Sequence, residues 1–141
     1  MPRIFNRTAR RFRPAAKPVR GVDSDNPVLK IPTEHQEQVA FIQWFRQSYP
    51  GIRIFAIPNG EARSKSAGAR LKAEGVSAGV PDLFIPAWNT WIEMKRSKGG
   101  SVSEKQKDWL AYLESIGHQA FVCKGADNAK EIAQRVYKTT L

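Results

Sequence analysis

Asp82, Glu93 and Lys95 lie in "GVPDLFIPAWNTWIEMKR", residues 79–96, inside segments that otherwise read as apolar strands. Side chains alternate along a strand, so Glu93 and Lys95 share a face with Trp91 while Ile92 and Met94 point to the other. The apolar pair can enter a core while the acid and the lysine stand together at a surface or cleft. Asp82, at the start of the neighbouring strand, comes close to Glu93 if the hairpin register sets the two opposite. Two carboxylates held together repel, and protonating one or binding a cation relieves the repulsion. Magnesium takes hard oxygen ligands and keeps several waters, so two carboxylates and a backbone carbonyl suit it. Lys95 then has two uses: to orient or deprotonate an attacking water, or to counter charge on a phosphate. The plainer reading is a solvated strand, with Glu93 and Lys95 as a surface ion pair and Asp82 opening a turn. The Glu-x-Lys spacing alone favours the plain reading. Pro81-Asp82 and the strand–turn–strand context favour a site.

The elements that must position these groups follow from local signals. In "PTEHQEQVAFIQWFRQSYPG", Thr33 is an N-cap, acids occupy the first turn and Gly51 follows the end, which predicts a helix over 34–48. "IRIFAIP" (52–58) is β-branched and apolar and predicts a strand closed by the Asn59-Gly60 turn. "SAGARLKAEGVSAG" predicts a short helix ending near Gly75. "DLFIPA" (82–87) and "WIEMK" (91–95) predict two strands of an antiparallel hairpin. Ser103 caps a helix stopped at Gly117, "HQAFVCK" predicts a strand and "ADNAKEIAQRVYK" a terminal helix. Helix, strand, short helix, strand, strand, helix, strand, helix is the order of an α/β domain built on one mixed sheet.

With 141 residues, 41% hydrophobic and 26% charged, the composition is that of one soluble globular domain. No stretch approaches the roughly 18–20 apolar residues of a membrane span. The lone cysteine, Cys123, excludes an intramolecular disulfide and fits a reducing cytoplasm; within "QAFVCK" it reads as a small core residue. The net charge is +10, and residues 1–30 hold eight basic side chains, among them Arg10, Arg11 and Arg13, against Asp23 and Asp25. With Pro14, Pro18, Pro27 and Pro32 and no apolar period, residues 1–33 read as a flexible basic arm ahead of a folded domain at 34–141. Such a surplus suits a polyanion such as nucleic acid, because released phosphate counterions favour binding. A tail that only aids solubility is the alternative.

The segments "EHQEQVAFIQWF", "FAIPNGEARS", "GARLKAEGVSAGVPDLFIP", "WIEMKRSKGGSVSEKQKDWL" and "GHQAFVCKGADNA" together resemble the VRR-NUC domain family of the PD-(D/E)XK nuclease superfamily. That family includes stand-alone phage and bacterial nucleases. The resemblance spans roughly residues 34–130 and implies a restriction-endonuclease-like α/β core, a central mixed sheet flanked by helices. It implies a phosphodiesterase dependent on Mg²⁺, with Mn²⁺ able to substitute. Asp82 and Glu93 would bind the metal, with the Met94 carbonyl as a further ligand, and Lys95 would position or activate the attacking water. The family also uses a first-helix glutamate, for which Glu34 and Glu37 both qualify, and a glutamine matched by Gln106. Taken alone, either glutamate could be a first-turn acid favoured by the helix dipole, and Gln106 a solvated helix residue.

Stand-alone members imply a DNA endonuclease selective for branched structures such as a four-way junction, acting as a C₂ homodimer that places two sites symmetrically. A general nickase, or a DNA-binding or virion-associated module that does not cut, are the rival readings. Arg63, Lys65, Arg70 and Lys72, with Asn59 and Gly60, form a basic region ahead of the site residues, and Lys98 stands in a Gly-rich loop. Contacts from these to phosphate would position a duplex without reading its sequence; a solvated helix face and a plain turn are the alternatives. His35 and His118 lack partners at zinc spacing and take no metal role. The four tryptophans, Trp44, Trp88, Trp91 and Trp109, are expected in the core or an interface before they serve as base-stacking platforms, with exposure most expected at Trp88 and Trp91, which flank the hairpin turn.

Overall fold

The structure, a computed structural model, describes residues 30–59 and 64–141, of which Ile31–Leu141 form a compact unit. Its first helix, α1 (Glu34–Ser48), opens on a capping box: the Thr33 hydroxyl accepts from Gln36 N–H while the Gln36 side chain accepts from Thr33 N–H. Spacing by four then puts Glu37, Phe41 and Phe45 on its buried face. Val39, apolar but off this face, is 41% exposed.

After α1 come β1 (Phe55–Ala56), α2 (Lys65–Ala73), β2 (Leu83–Ile85), a 3₁₀ turn (Pro86–Trp88) and β3 (Thr90–Lys95). A loop then leads to α3 (Glu104–Ser115), β4 (Gln119–Lys124) and α4 (Gly125–Thr140). The sheet runs β1-β2-β3-β4; β1/β2 and β2/β3 are antiparallel, while β3/β4 is parallel with α3 as the crossover. This is the expected α/β domain on a mixed sheet, in the expected order. Among the described residues no helix is long and apolar enough to cross a membrane.

Two strands are shorter than expected, and proline accounts for the C-terminal end of each. The 52–58 segment contributes only Phe55–Ala56 to the ladder. Ile57 N–H still bonds the Asp82 carbonyl, but Pro58 has no N–H to continue. Likewise the 82–87 segment is strand only to Ile85, where Pro86 starts the 3₁₀ turn. Asn89 completes the reversal in the left-handed region, at φ 48°.

One sheet face makes the core. Leu83, Ile85, Ile92 and Met94 are fully buried and share a cluster with Phe41 and Phe45 of α1 and Ala129, Ala133 and Val136 of α4. Full burial of such side chains stabilises the fold by about 1.5–3 kcal/mol each. Trp88 takes the core position expected of the tryptophans despite its place beside the turn: it is 6% exposed, with ring centroids 5.3 Å from Phe45 and 5.2 Å from Tyr49. The 3₁₀ turn folds it back under the sheet, where an aromatic of that size contributes most. Cys123 is fully buried, as a small core residue should be, and burial pushes its thiol up to about 12, so it is an inert thiol.

Candidate active site

The hairpin register settles the relation between Asp82 and Glu93. Leu83 pairs with Ile92, so one step further along the ladder Asp82 faces Glu93. Instead of a backbone carbonyl, the Asp82 carboxylate takes the next ladder bond: Met94 N–H donates to its Oδ2 at 2.7 Å. The loop before Asp82 is clamped. Asn59 Nδ2 donates to the carbonyls of Ser77 (2.6 Å) and Val80 (3.5 Å), and Pro81 is fully buried. Gly79 sits at φ 92°, where a Cβ would lie 2.6 Å from the Lys105 backbone. Only glycine permits that approach, which docks the loop on the first turn of α3.

The first turn of α3 supplies the fourth group. Ser103 and Gln106 form a second capping box, with Gln106 Oε1 accepting from Ser103 N–H at 2.9 Å. The same Oε1 accepts from Lys95 Nζ at 3.1 Å, and Gln106 Nε2 donates to Glu93 Oε1 at 2.6 Å. Lys95 Nζ also lies 3.2 Å from Glu93 Oε1. The cap thus fixes the side chain that bridges the acid and the lysine. Neither charge is at the surface: Glu93 is 1% and Lys95 7% exposed, so the surface-ion-pair reading does not hold.

The contacts from Gln106 Nε2 and Lys95 Nζ both fall on Glu93 Oε1. Its Oε2 is buried and has no amide, hydroxyl or ammonium partner among the described residues. Burial, then the charge of Asp82, raise the Glu93 carboxyl to about 7, with Lys95 pulling it down and Glu34 pushing it up. Burial also raises Asp82, reinforced by Glu34 and opposed by the Met94 N–H, then by Lys95 and by a hydrogen bond shared with the Glu93 carboxyl. The site therefore holds two facing acid groups that resist ionisation, and a Glu93 Oε2 that no amide, hydroxyl or ammonium group among the described residues satisfies.

The two first-helix glutamates separate. Glu34 is half-buried and its negative charge bears on both Asp82 and Glu93. Glu37 is buried, and its Oε2 accepts from Ala126 N–H at the start of α4. Lys124, the N-cap of α4, provides no side-chain cap, so Glu37 satisfies an orphan amide from another helix. Gly125, at φ 84°, makes room: a Cβ there would stand 3.2 Å from Glu37 Oε2.

The donor set fits a hard divalent cation. Two facing carboxylates with raised proton affinity and a bare Oε2 are what Mg²⁺ or Mn²⁺ would neutralise, with the Met94 carbonyl and waters as further oxygen ligands. Among the described residues no three His, Cys, Asp or Glu side chains converge to cage an ion by themselves. Magnesium bound through one or two carboxylates needs no such cage. Glu34 contributes charge to this set without closing it.

The expected DNA-contacting groups are spread more widely. Lys65, Arg70 and Lys72 are exposed on α2 and Lys98 is exposed in the β3–α3 loop. Arg70 Nε is paired with Glu74 at 2.9 Å on the surface. Lys72 borders a groove of about 990 Å³ between α2 and the start of α3, with Leu71, Val76, Lys105 and Trp109 also lining it. Gly60, Arg63, Arg10, Arg11 and Arg13 lie outside the described residues. His118 accepts from Trp91 Nε1 at 2.9 Å, and His35 is exposed on α1.

Sequence reasoning missed three supporting features: the clamp at Gly79, the Asn59 brace and the Glu37 bond to α4. The capping boxes had a readable signal, since Thr33-x-x-Gln36 and Ser103-x-x-Gln106 both match the pattern. The long-range contacts had none.

The VRR-NUC domain family model matches residues 23–127. A solved structure of a VRR-NUC domain protein is similar at a TM-score of 0.64 and 28% sequence identity, covering 77% of this chain and 91% of that one. No curated protein matches the sequence. A match over most of the chain and a shared fold lead to one conclusion: this chain belongs to the VRR-NUC domain family and has its nuclease-type fold.

Proposed function

We propose that this protein is a metal-dependent DNA endonuclease that hydrolyses phosphodiester bonds, with branched DNA such as a four-way junction as its preferred substrate. The observation that carries the reading is the buried Glu93 carboxylate, whose Oε2 meets no amide, hydroxyl or ammonium among the described residues while a second acid, Asp82, faces it in a basic protein. A purely structural acid buried this deeply would be expected to use both oxygens.

Asp82, Glu93 and the Met94 carbonyl would hold Mg²⁺ or Mn²⁺, with Glu34 adding negative potential. When bound, such an ion polarises a phosphoryl oxygen and makes a coordinated water more acidic. Lys95, held by Glu93 and Gln106, keeps its ammonium beside the carboxylates. There it can orient the attacking water and stabilise the charge that builds on the phosphate in the transition state. Gln106 keeps that ammonium from swinging away, and its own rotamer is fixed by the α3 cap. The backbone-level clamp at Gly79 restricts movement of Asp82 relative to Gln106, which preorganisation requires.

Selectivity for shape is supported by the exposed basic side chains on α2, which can grip phosphate without reading sequence. Two symmetric cuts in a junction require two sites, hence a C₂ homodimer. The test is purified protein with Mg²⁺ on matched linear, flap, splayed and four-way DNA. Paired symmetric cuts confined to the four-way form support the reading. Equal cutting of all forms makes it a general nickase, and metal-independent binding without cutting makes it a DNA-binding module.

A further inference from the structure

The face of the sheet that bears the acids also bears an aromatic row. Phe55 pairs with Phe84, and Phe84 with Trp91, so the three rings lie side by side across β1, β2 and β3. Phe84 and Trp91 stack with centroids 4.2 Å apart and planes at 27°; Phe55 meets Phe84 edge-on at 5.7 Å. His118 lies nearly parallel to Phe84 at 6.1 Å and accepts the Trp91 indole N–H, which locks the tryptophan ring in place. Alternation puts this row on the acid side: Phe84 is two residues from Asp82, and Trp91 is two residues from Glu93. The opposite side is the packed core with α1 and α4.

The row is only partly covered. Phe84 and Trp91 are half-buried and Phe55 is 47% exposed, on an edge strand of two residues. A ring this exposed gains little from the fold. Two residues of strand is about 6.6 Å, so the rings begin within one nucleotide's reach of the acid pair. A neutral aromatic platform next to a phosphate-cleaving centre on a strongly basic protein suits one occupant above others: a base that has left its stack. The phosphates would meet the charges while the base meets the rings.

We infer that Phe55, Phe84 and Trp91 form a stacking shelf for a base that leaves its stack beside the scissile phosphate, so the substrate class is branched DNA whose bases unstack at the branch point. The inference rests on the nuclease reading for the location of the phosphate, and it deepens that reading. It also supplies a physical basis for preferring branched over perfect duplex DNA, since a fully stacked duplex offers no free base face to the shelf.

The test compares binding of the full chain, without divalent metal, to a splayed-arm oligonucleotide and a perfect duplex of the same sequence. Phe55→Ala should weaken splayed-arm binding about fivefold or more and leave duplex binding unchanged, whereas Phe55→Trp should retain both. In the parent protein, 2-aminopurine placed beside the junction should lose fluorescence on binding, a readout that stands even if Phe55→Ala folds poorly. Equal loss on both DNAs, no loss on either, or unquenched 2-aminopurine overturns the shelf. So does a dimer of the parent that Phe55→Ala converts to monomer with DNA selectivity intact, because the rings then face a second copy. Cleavage by Mg²⁺-loaded parent is scored separately. Selective binding without cutting retires the nuclease reading and keeps the shelf, and cutting without selective binding does the reverse.

Discussion

Glu37 and Glu93 are the two buried carboxylates among the described residues, and they are buried for different ends. Glu37 Oε2 accepts an amide that the α4 terminus leaves unpaired, and the glycine beside it clears the space. Glu93 shares one oxygen with Lys95 and Gln106 and leaves the other bare while facing a second acid. Burying an acceptor with its donor can stabilise a fold; burying one without a donor costs about 1–3 kcal/mol. A chain that solves the problem at Glu37 and leaves it open at Glu93 points to Glu93 as the acid kept for a ligand.

The contrast is most exposed to failure in catalysis. Glu93→Ala and Lys95→Ala should each lower Mg²⁺-dependent nicking by about 10²-fold or more, with DNA binding in a gel-shift assay retained. Nicking at the parental rate in both variants would remove the site assignment. Glu37→Ala should instead act on the fold, costing about 2 kcal/mol in urea denaturation by leaving the Ala126 amide unpaired. Glu37→Gln, which keeps an acceptor oxygen, should recover part of that loss.

A third prediction concerns pH. Glu93 is surrounded by Asp82, Lys95 and Glu34, with the neutral Gln106 from α3. Its folded-state pKa of about 7 lies above the ordinary 4.5, so between these values the folded chain holds more protons than the unfolded one. Stability from this group is full below pH 4.5 and is lost as pH rises through about 7. Metal-free thermal melts should therefore show a fall across that window that Glu93→Gln flattens. Added Mn²⁺, which binds the ionised form, should raise the melting temperature more at pH 8 than at pH 5. The smallest effect belongs to an exposed acid: Glu74→Ala, which breaks the surface pair with Arg70, should shift stability by no more than about 0.5 kcal/mol.

What was legible in the sequence was local. The α1 bounds followed from Thr33, the apolar period and Gly51, and the α3 start from Ser103, because caps and periods act within a turn. The pairing of two short strands into a hairpin was also readable, as was the sharing of one face by Trp91, Glu93 and Lys95. Proline cut two strands shorter than their apolar content suggested, since a ladder needs N–H donors as well as β-branched side chains. The choice between Glu34 and Glu37 was out of reach, because both satisfy the same helical spacing and the amide that separates them lies 89 positions away. Which of the two tryptophans beside the turn would be buried was not readable for a related reason: a turn position does not reveal which way the turn folds.

Mn²⁺ binding, measured by titration calorimetry at pH 8 on the parent, Glu93→Gln and Glu37→Gln, tests the central contrast directly. The account predicts that the parent and Glu37→Gln bind Mn²⁺ alike while Glu93→Gln loses the site. Undiminished binding by Glu93→Gln, or loss of binding in Glu37→Gln with the fold intact, would contradict it.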